Sequence, residues 1–355
     1  RRPLSFMRPN WNQSGDNRLR LAPNGAGPHH GCEVLGTRYE ESEMKKTTQL
    51  REILKEGKSV FVPGCYNALS AKILDQVGFP AIYMTGYGTS LSMLGMPDCG
   101  LATMTEMHLN ARNIANVTSA PVIADSDNGY GNAINVIRTV REYIQTGVAA
   151  IHIEDQIIPK RCGHVAGRMV ISIEEACGKY RAADYARKEI DPDFVLIART
   201  DARGAHGGTL DDAINRANAY LNAGADMAFV EGPTDVEEVK RICAEVKGPI
   251  LYNQTGISPR FSQDELQELG IAITIAPGAT LRATMQTVYD LAIEMKSDGP
   301  DAEKRFNDQF KKHPIGDFHT FAGFDQVMEW EREFLGEEEL AKYTDSVGHQ
   351  PKAAE

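Results

Sequence analysis

The segment "PVIADSDNGYGNAINVIRTVREYIQTGVAAIHIED", residues 121–155, decides the fold. Its ends, "PVIADSD" (121–127) and "AAIHIED" (149–155), are apolar until they close in carboxylates, as strands buried on both faces are. Between them "NAINVIRTVREYIQTG" (132–147) shows helical spacing, an opening Asn cap and a closing Gly. The segment is therefore a strand–helix–strand unit, which makes the two strands parallel. The same unit recurs on both sides. Apolar runs "VFVPGCY" (60–66), "AIYMTG" (81–86), "FVLIARTD" (194–201), "MAFVEG" (227–232), "ILYNQT" (250–255) and "AITIAP" (272–277) alternate with helical stretches such as "TMTEMHLNARNIANV", "TLDDAINRANAYLNAG" and "TDVEEVKRICAEVKG". Eight repeats over about 240 residues predict an α/β (β/α)8 TIM barrel, with a doubly wound sheet as the structural alternative.

The composition bounds the function. The chain has 355 residues, 42% hydrophobic and 25% charged, with a net charge of −11. That balance argues against general nucleic-acid binding, and no apolar run approaches the ~18 residues of a membrane span. Six cysteines (Cys32, Cys65, Cys99, Cys162, Cys177, Cys243) are scattered without a CxxC pair, so they read as thiols of a reducing, cytoplasmic compartment. Residues 1–45, rich in Arg, Asn, Gly and Pro, lack apolar periodicity and form an N-terminal extension. Five arginines and one acid in the first 20 residues would suit a mitochondrial transit segment, whereas Pro3 and Pro9 favour an extended arm. The expected division is 1–45 arm, 46–297 catalytic barrel and 298–355 C-terminal helical extension.

Nearly every strand ends in a chemically useful residue: Thr85-Gly86, Asp125 and Asp127, Glu154 and Asp155, Arg199 and Asp201, Glu231, then Asn253 and Thr255. One such residue is an ordinary helix cap. Together they converge on the face of a barrel where active sites sit. Asp125 and Asp127, two apart on a strand, point the same way; with Glu154 they make an oxygen-only cluster suited to Mg²⁺ or Mn²⁺, or else cap helices and pair with barrel arginines. Arg199 ends an apolar strand, where burial needs an anion: Glu231 or a substrate carboxylate. The loop "PKRCGHVAGR" (159–168) sets Cys162 beside Lys160, Arg161 and His164, which should ease its ionisation, and Gly163 and Gly167 suggest that it opens and closes. Zinc at Cys162 and His164 is disfavoured because one short loop supplies too few ligands. Metal, arginine, hydroxyls and thiol together suit a small di- or tricarboxylate whose enolate the metal stabilises. The thiol would serve as general acid or base, with covalent thioester chemistry as the competing role. Two readings from other classes are a non-catalytic barrel and a dinucleotide dehydrogenase; "GYGTS" lacks the third glycine of the latter's fingerprint.

In this context "KRCGH" resembles the signature of the isocitrate lyase/phosphoenolpyruvate mutase superfamily. "YMTGYGTSLSMLGMPDCGLA", "IADSDNGYGNAINVIRTVREYI", "HIEDQIIPKRCGH", "IARTDA" and "YNQT" are similar to family segments in the same order, across most of residues 47–297. The resemblance implies a barrel whose last helix is exchanged between subunits of a homotetramer. It implies that Thr85, Gly86 and Tyr87 form a loop holding the 2-oxo-acid carboxylate, and that Asp125 and Asp127 hold Mg²⁺ with Asp98 and Glu154 acting through water. Tyr83 and Asp98 match groups that take the substrate hydroxyl proton. Cys162 matches the catalytic acid, tuned by Lys160 and His164. Gly163, Arg199, Glu231, Asn253, Thr255 and Arg282 match substrate-binding positions. "NQTGISPRFS" and Arg282 in "PGATLRA" resemble methylisocitrate lyases, whereas "YMTGYGTS" resembles the alkylmalate and oxaloacetate branch. Gly278 stands where the family usually has a bulky residue. The implied activity is Mg²⁺-dependent cleavage of 2-methylisocitrate to a 2-oxo acid plus succinate, with 2,3-dimethylmalate or 2-alkylmalate cleavage and oxaloacetate hydrolysis as alternatives.

Overall fold

The computed structural model describes residues 44–344, 347 and 348. The N-terminal arm expected over 1–45 lies outside the described residues except for its last two. Helix α1 (Lys46–Lys55) comes first, followed by β1 (Val60–Cys65), α2 (Ala68–Val77), β2 (Ile82–Met84), α3 (Gly86–Leu94), α4 (Met104–Asn116), β3 (Val122–Asp125), α5 (Ala133–Gln145) and β4 (Ala150–Glu154). Then come α6 (Ile173–Ile190), β5 (Val195–Thr200), α7 (Leu210–Asn222), β6 (Met227–Val230), α8 (Val236–Glu245), β7 (Leu251–Asn253), α9 (Gln263–Glu268), β8 (Ile273–Ala276) and α10 (Ala279–Asp298). Helices α11 (Pro300–Phe310), α12 (Phe318–Ala322), α13 (Phe324–Phe334) and α14 (Glu337–Thr344) follow.

All eight strands are parallel, in the order β6-β5-β4-β3-β2-β1-β8-β7. The last seam, β6 to β7, is joined by one parallel bridge, Ala228 to Ile250, so the sheet closes into the expected barrel. Buried apolar side chains such as Val62, Ile123, Ile197, Phe229 and Ile275 pack in one cluster, and a second cluster lies between strands and helices. Leu50 of α1 packs on the first cluster while Arg51 binds Asp226 at 3.2 Å, so α1 plugs the barrel floor. No helix among the described residues is long and apolar enough to cross a membrane.

Two local differences from the sequence reading bear on the site. Gly86-Tyr87 is not a loop but the first turn of α3, capped by Thr85, whose Oγ1 accepts from the Gly88 N–H at 3.3 Å. Glycines that read as loop are tolerated there because each neighbour comes close: a Cβ on Gly86 would lie 2.4 Å from Asp125 Oδ2. The second is α10. Met285, Val288, Tyr289 and Ile293 on it are exposed rather than packed back on the strands.

Candidate active site

A cavity of about 450 Å³ opens at the C-terminal ends of the strands. Among its walls are Tyr83, Thr85, Tyr87, Asp98, Cys162, Gly163, His164, Arg199, Glu231, Asn253, Thr255 and Arg282, together with Asp125. Of the residues expected in the site, Gly86, Asp127, Glu154 and Lys160 are not on its wall; they stand directly behind it, touching residues that are.

The carboxylates are brought together by a turn rather than by strand alternation. β3 ends at Asp125, and Asp127 takes a left-handed φ of 47°, so the period-2 argument does not apply. The Asp127 N–H donates to Asp125 Oδ1 at 2.9 Å and the Gly86 N–H to Oδ2 at 3.0 Å. Burial would raise the Asp125 carboxyl, but His152, Lys160 and Arg199 outweigh it and hold it at about 2. For Asp127 burial wins, with Lys160 opposing, and its carboxyl is pushed up to about 6. Lys160 Nζ lies 2.7 Å from Asp127 and also contacts Asp98. Glu154 is buried, accepts no hydrogen bond on either oxygen among the described residues, and faces Arg199 Nη2 at 3.3 Å. Burial pushes it well above the usual carboxylate range.

These positions correct the expected three-carboxylate cluster. Among the described residues no three His, Cys, Asp or Glu side chains are spaced to hold a metal directly. What fits is a hydrated hard cation on Asp125 and Asp127, because the donors are all oxygen and Glu154 has oxygens that accept no hydrogen bond among the described residues and could accept from metal-bound water.

Arg199 is buried against three carboxylates. Asp201 takes Nε at 2.9 Å and Nη2 at 3.2 Å, Glu154 lies 3.3 Å away and Glu231 3.8 Å. Its burial is thus balanced inside the protein, and Asp201 rather than Glu231 is the main partner. Asn253 Nδ2 donates to Glu231 Oε2 at 3.2 Å and lies 3.3 Å from His164 Nε2, while Thr255 Oγ1 donates to Asn253 Oδ1 at 2.7 Å. A polar chain therefore runs from Arg199 to the cysteine loop.

The thiol itself reverses the sequence expectation. Burial pushes Cys162 up; the His164 N–H and Arg199 oppose this, while Asp98 and Glu231 add to it. Lys160 cannot ease its ionisation, since its ammonium is committed to Asp98 and Asp127. Gly163 is also not a simple hinge. A Cβ there would sit 2.5 Å from Arg199 Nη2, so the glycine lets the loop lie on the arginine. Tyr83 is likewise held protonated, first by burial and then by Asp125, and its hydroxyl is paired with His152 Nε2 at 2.7 Å.

Arg282, in the first turn of α10, is exposed to the cavity and has no carboxylate partner among the described residues. Gly278 leaves it room: a Cβ at 278 would lie 2.7 Å from Arg282 Nη1. Two features escaped the sequence reading. His152 is a polar residue inside an otherwise apolar strand, in line with Glu154, which was the available signal. The apolar side of the cavity, with Leu91, Val165, Leu281 and Met285, comes from separate segments and left none.

The profile of the family described as phosphoenolpyruvate phosphomutase matches residues 50–296. The chain is 46% identical to the 2,3-dimethylmalate lyase of Eubacterium barkeri, covering 73% of this chain and 89% of that protein. It is 38% identical to the 2-methylisocitrate lyase of Aeropyrum pernix, covering 87% and 98%. Among solved structures, oxaloacetate acetylhydrolase in complex with the inhibitor 3,3-difluorooxalacetate superposes with a TM-score of 0.74 at 35% identity, covering 82% of this chain and 98% of that one.

Proposed function

Because the chain belongs to the phosphoenolpyruvate mutase/isocitrate lyase superfamily, we propose that it is a divalent-metal-dependent carbon–carbon lyase acting on a 2-hydroxy tricarboxylate of the 2-methylisocitrate type. One observation carries the reading: the Cys162 thiol, which burial pushes up, shares a single cavity with Asp98, Asp125 and Arg282, an arginine with no carboxylate partner among the described residues.

Asp125 and Asp127 would hold the metal, Mg²⁺ or Mn²⁺, with Asp98 and Glu154 reaching it through water. Bound there, the cation supplies Lewis-acid stabilisation of the enolate charge that cleavage creates. The residues of the chain do the rest. Arg199, Asn253 and Thr255 orient substrate carboxylates by charge-assisted and neutral hydrogen bonds. Asp98 accepts the hydroxyl proton, since it is on the cavity wall and Tyr83 keeps its own. As the C–C bond breaks, its electrons pass to the departing carbon, which takes the proton of Cys162. The thiolate left behind faces the His164 N–H and Arg199, and the cycle closes when Asp98 releases its proton to solvent and the thiolate regains one from it.

The third carboxylate is assigned to Arg282. A charge-assisted bond to it is worth roughly 1.5–3 kcal/mol, or ~10- to 100-fold in kcat/KM. Arg282→Ala should therefore lower kcat/KM on 2-methylisocitrate by at least ~10-fold and spare 2,3-dimethylmalate or oxaloacetate. Equal losses on both types would remove the third-carboxylate site. The second reading, a dicarboxylate lyase of the dimethylmalate type, is supported by the identity to the Eubacterium enzyme and by the apolar side of the cavity. Wild-type turnover of dicarboxylates alone would decide for it.

A further inference from the structure

The loop bearing Cys162 leaves the barrel after β4 and is tied at both ends by buried groups. At the front, Lys160 meets Asp127 at 2.7 Å, and the Gln156 amide clamps the Arg161 backbone, Nε2 to the carbonyl at 2.8 Å and N–H to Oε1 at 2.9 Å. At the back, Arg168, only 4% exposed, places Nη1 3.2 Å from Asp201 Oδ1. The same Asp201 binds Arg199 through both of its oxygens, and its own N–H is fixed by Asp155 Oδ1 at 3.0 Å. Gly204 makes the seat: a Cβ there would lie 1.7 Å from Arg168 Nη2.

We infer that Arg168 is a positioning residue, holding the Cys162 loop down on Arg199 through the Asp201 carboxylate that both arginines share. Arg168 is not on the cavity wall, so its charge is not used on substrate. Among the described residues its Nε has no partner and Asp201 is the carboxylate that balances the buried guanidinium. Removing that charge loosens the segment between Cys162 and Arg168, because the backbone bonds that remain, His206 N–H to the Arg168 carbonyl and Ile157 N–H to the Met169 carbonyl, both at 3.0 Å, hold the chain only from residue 168 onward, whereas Arg199 keeps Asp201, Glu154 and Glu231. The thiol should lose its place while the substrate-binding arginine keeps its own.

The test is Arg168→Met in the full chain, with iodoacetamide labelling of each cysteine followed by peptide mass mapping. This readout needs no substrate, so it stands whether or not the proposed reaction is right. Cys162 should label at least ~10-fold faster than in the wild type while Cys65, Cys177 and Cys243 keep their rates. Turnover should fall by ~10-fold with KM within about threefold. Labelling of Cys162 within about twofold of wild type, or equal acceleration at every cysteine, would overturn the inference. Arg168→Gln, which keeps a polar head in the same seat, is judged by the same criteria if the methionine variant does not fold.

Discussion

A general acid must hold its proton at working pH, and burial gives Cys162 that property. Cys162→Ser should lower turnover by at least ~10²-fold while leaving substrate binding in place; near-normal turnover would reduce the loop to a lid. Because the thiol titrates above its ordinary value of 9.0, it stays protonated through neutral pH, and activity should fall on the alkaline side as that proton is lost. Iodoacetamide should accordingly label Cys162 more slowly than a free thiol at pH 7.5, and faster labelling would contradict the proton-donor role. The chain order "KRCGH" showed which residues gather at the thiol but not where they point. Lys160 turns to Asp98 and Asp127, and only the fold places those two carboxylates within its reach. Arg282 was legible for the opposite reason: one helical turn after a strand end, it has little choice but to face the barrel mouth.

At the scale of elements, close approach between neighbouring strand ends shapes the barrel mouth. Gly64 near the end of β1 lies against the residue that follows β8, where a Cβ would come within 2.2 Å of the Pro277 carbonyl oxygen and 2.6 Å of its Cα. Those are backbone atoms that cannot swing away. Gly64→Ala should destabilise the fold by at least about 2 kcal/mol, read as a lower urea midpoint at unchanged slope; an unchanged midpoint would mean the seam is looser than described. At the end of β3, Asp127→Ala should abolish Mg²⁺ binding in a calorimetric titration without unfolding the barrel, because site and stabilising faces are separate. Retained binding would show that the carboxylate pair is structural. The strands were legible because they are continuous apolar runs between helical periods: the run at 194–201 contains β5, and that at 60–66 contains β1. Helix α3 was not, since its glycines, which serve close packing against Asp125 and Tyr66, look like a loop in the sequence. The turn at Asp127 was hidden because a left-handed non-glycine residue has no sequence mark.

On the scale of the whole molecule, α10 is fixed to the barrel at its start, where Thr280 Oγ1 donates to the Gly64 carbonyl at 2.6 Å, and farther along exposes Val288, Tyr289 and Ile293. Apolar side chains in that density suit a surface that another chain covers, and we propose the helix exchange in a homotetramer that the family resemblance implies. Sedimentation velocity at micromolar concentration should give a tetramer, and a monomer would refute the assignment. The barrel was legible from end to end because its repeat is regular. The 298–355 extension was legible only as helical, since α11 to α14 lack a repeat that would say what they pack on. The central claim, metal-dependent C–C cleavage of a 2-hydroxy carboxylate, is tested most directly by one panel: 2-methylisocitrate, isocitrate, 2,3-dimethylmalate, citramalate and oxaloacetate, with Mg²⁺ and with EDTA, scored by release of 2-oxo acid or, for oxaloacetate, oxalate. The expected result is Mg²⁺-dependent release of pyruvate from 2-methylisocitrate, lost on chelation. No Mg²⁺-dependent release from any 2-hydroxy carboxylate of the panel would contradict it.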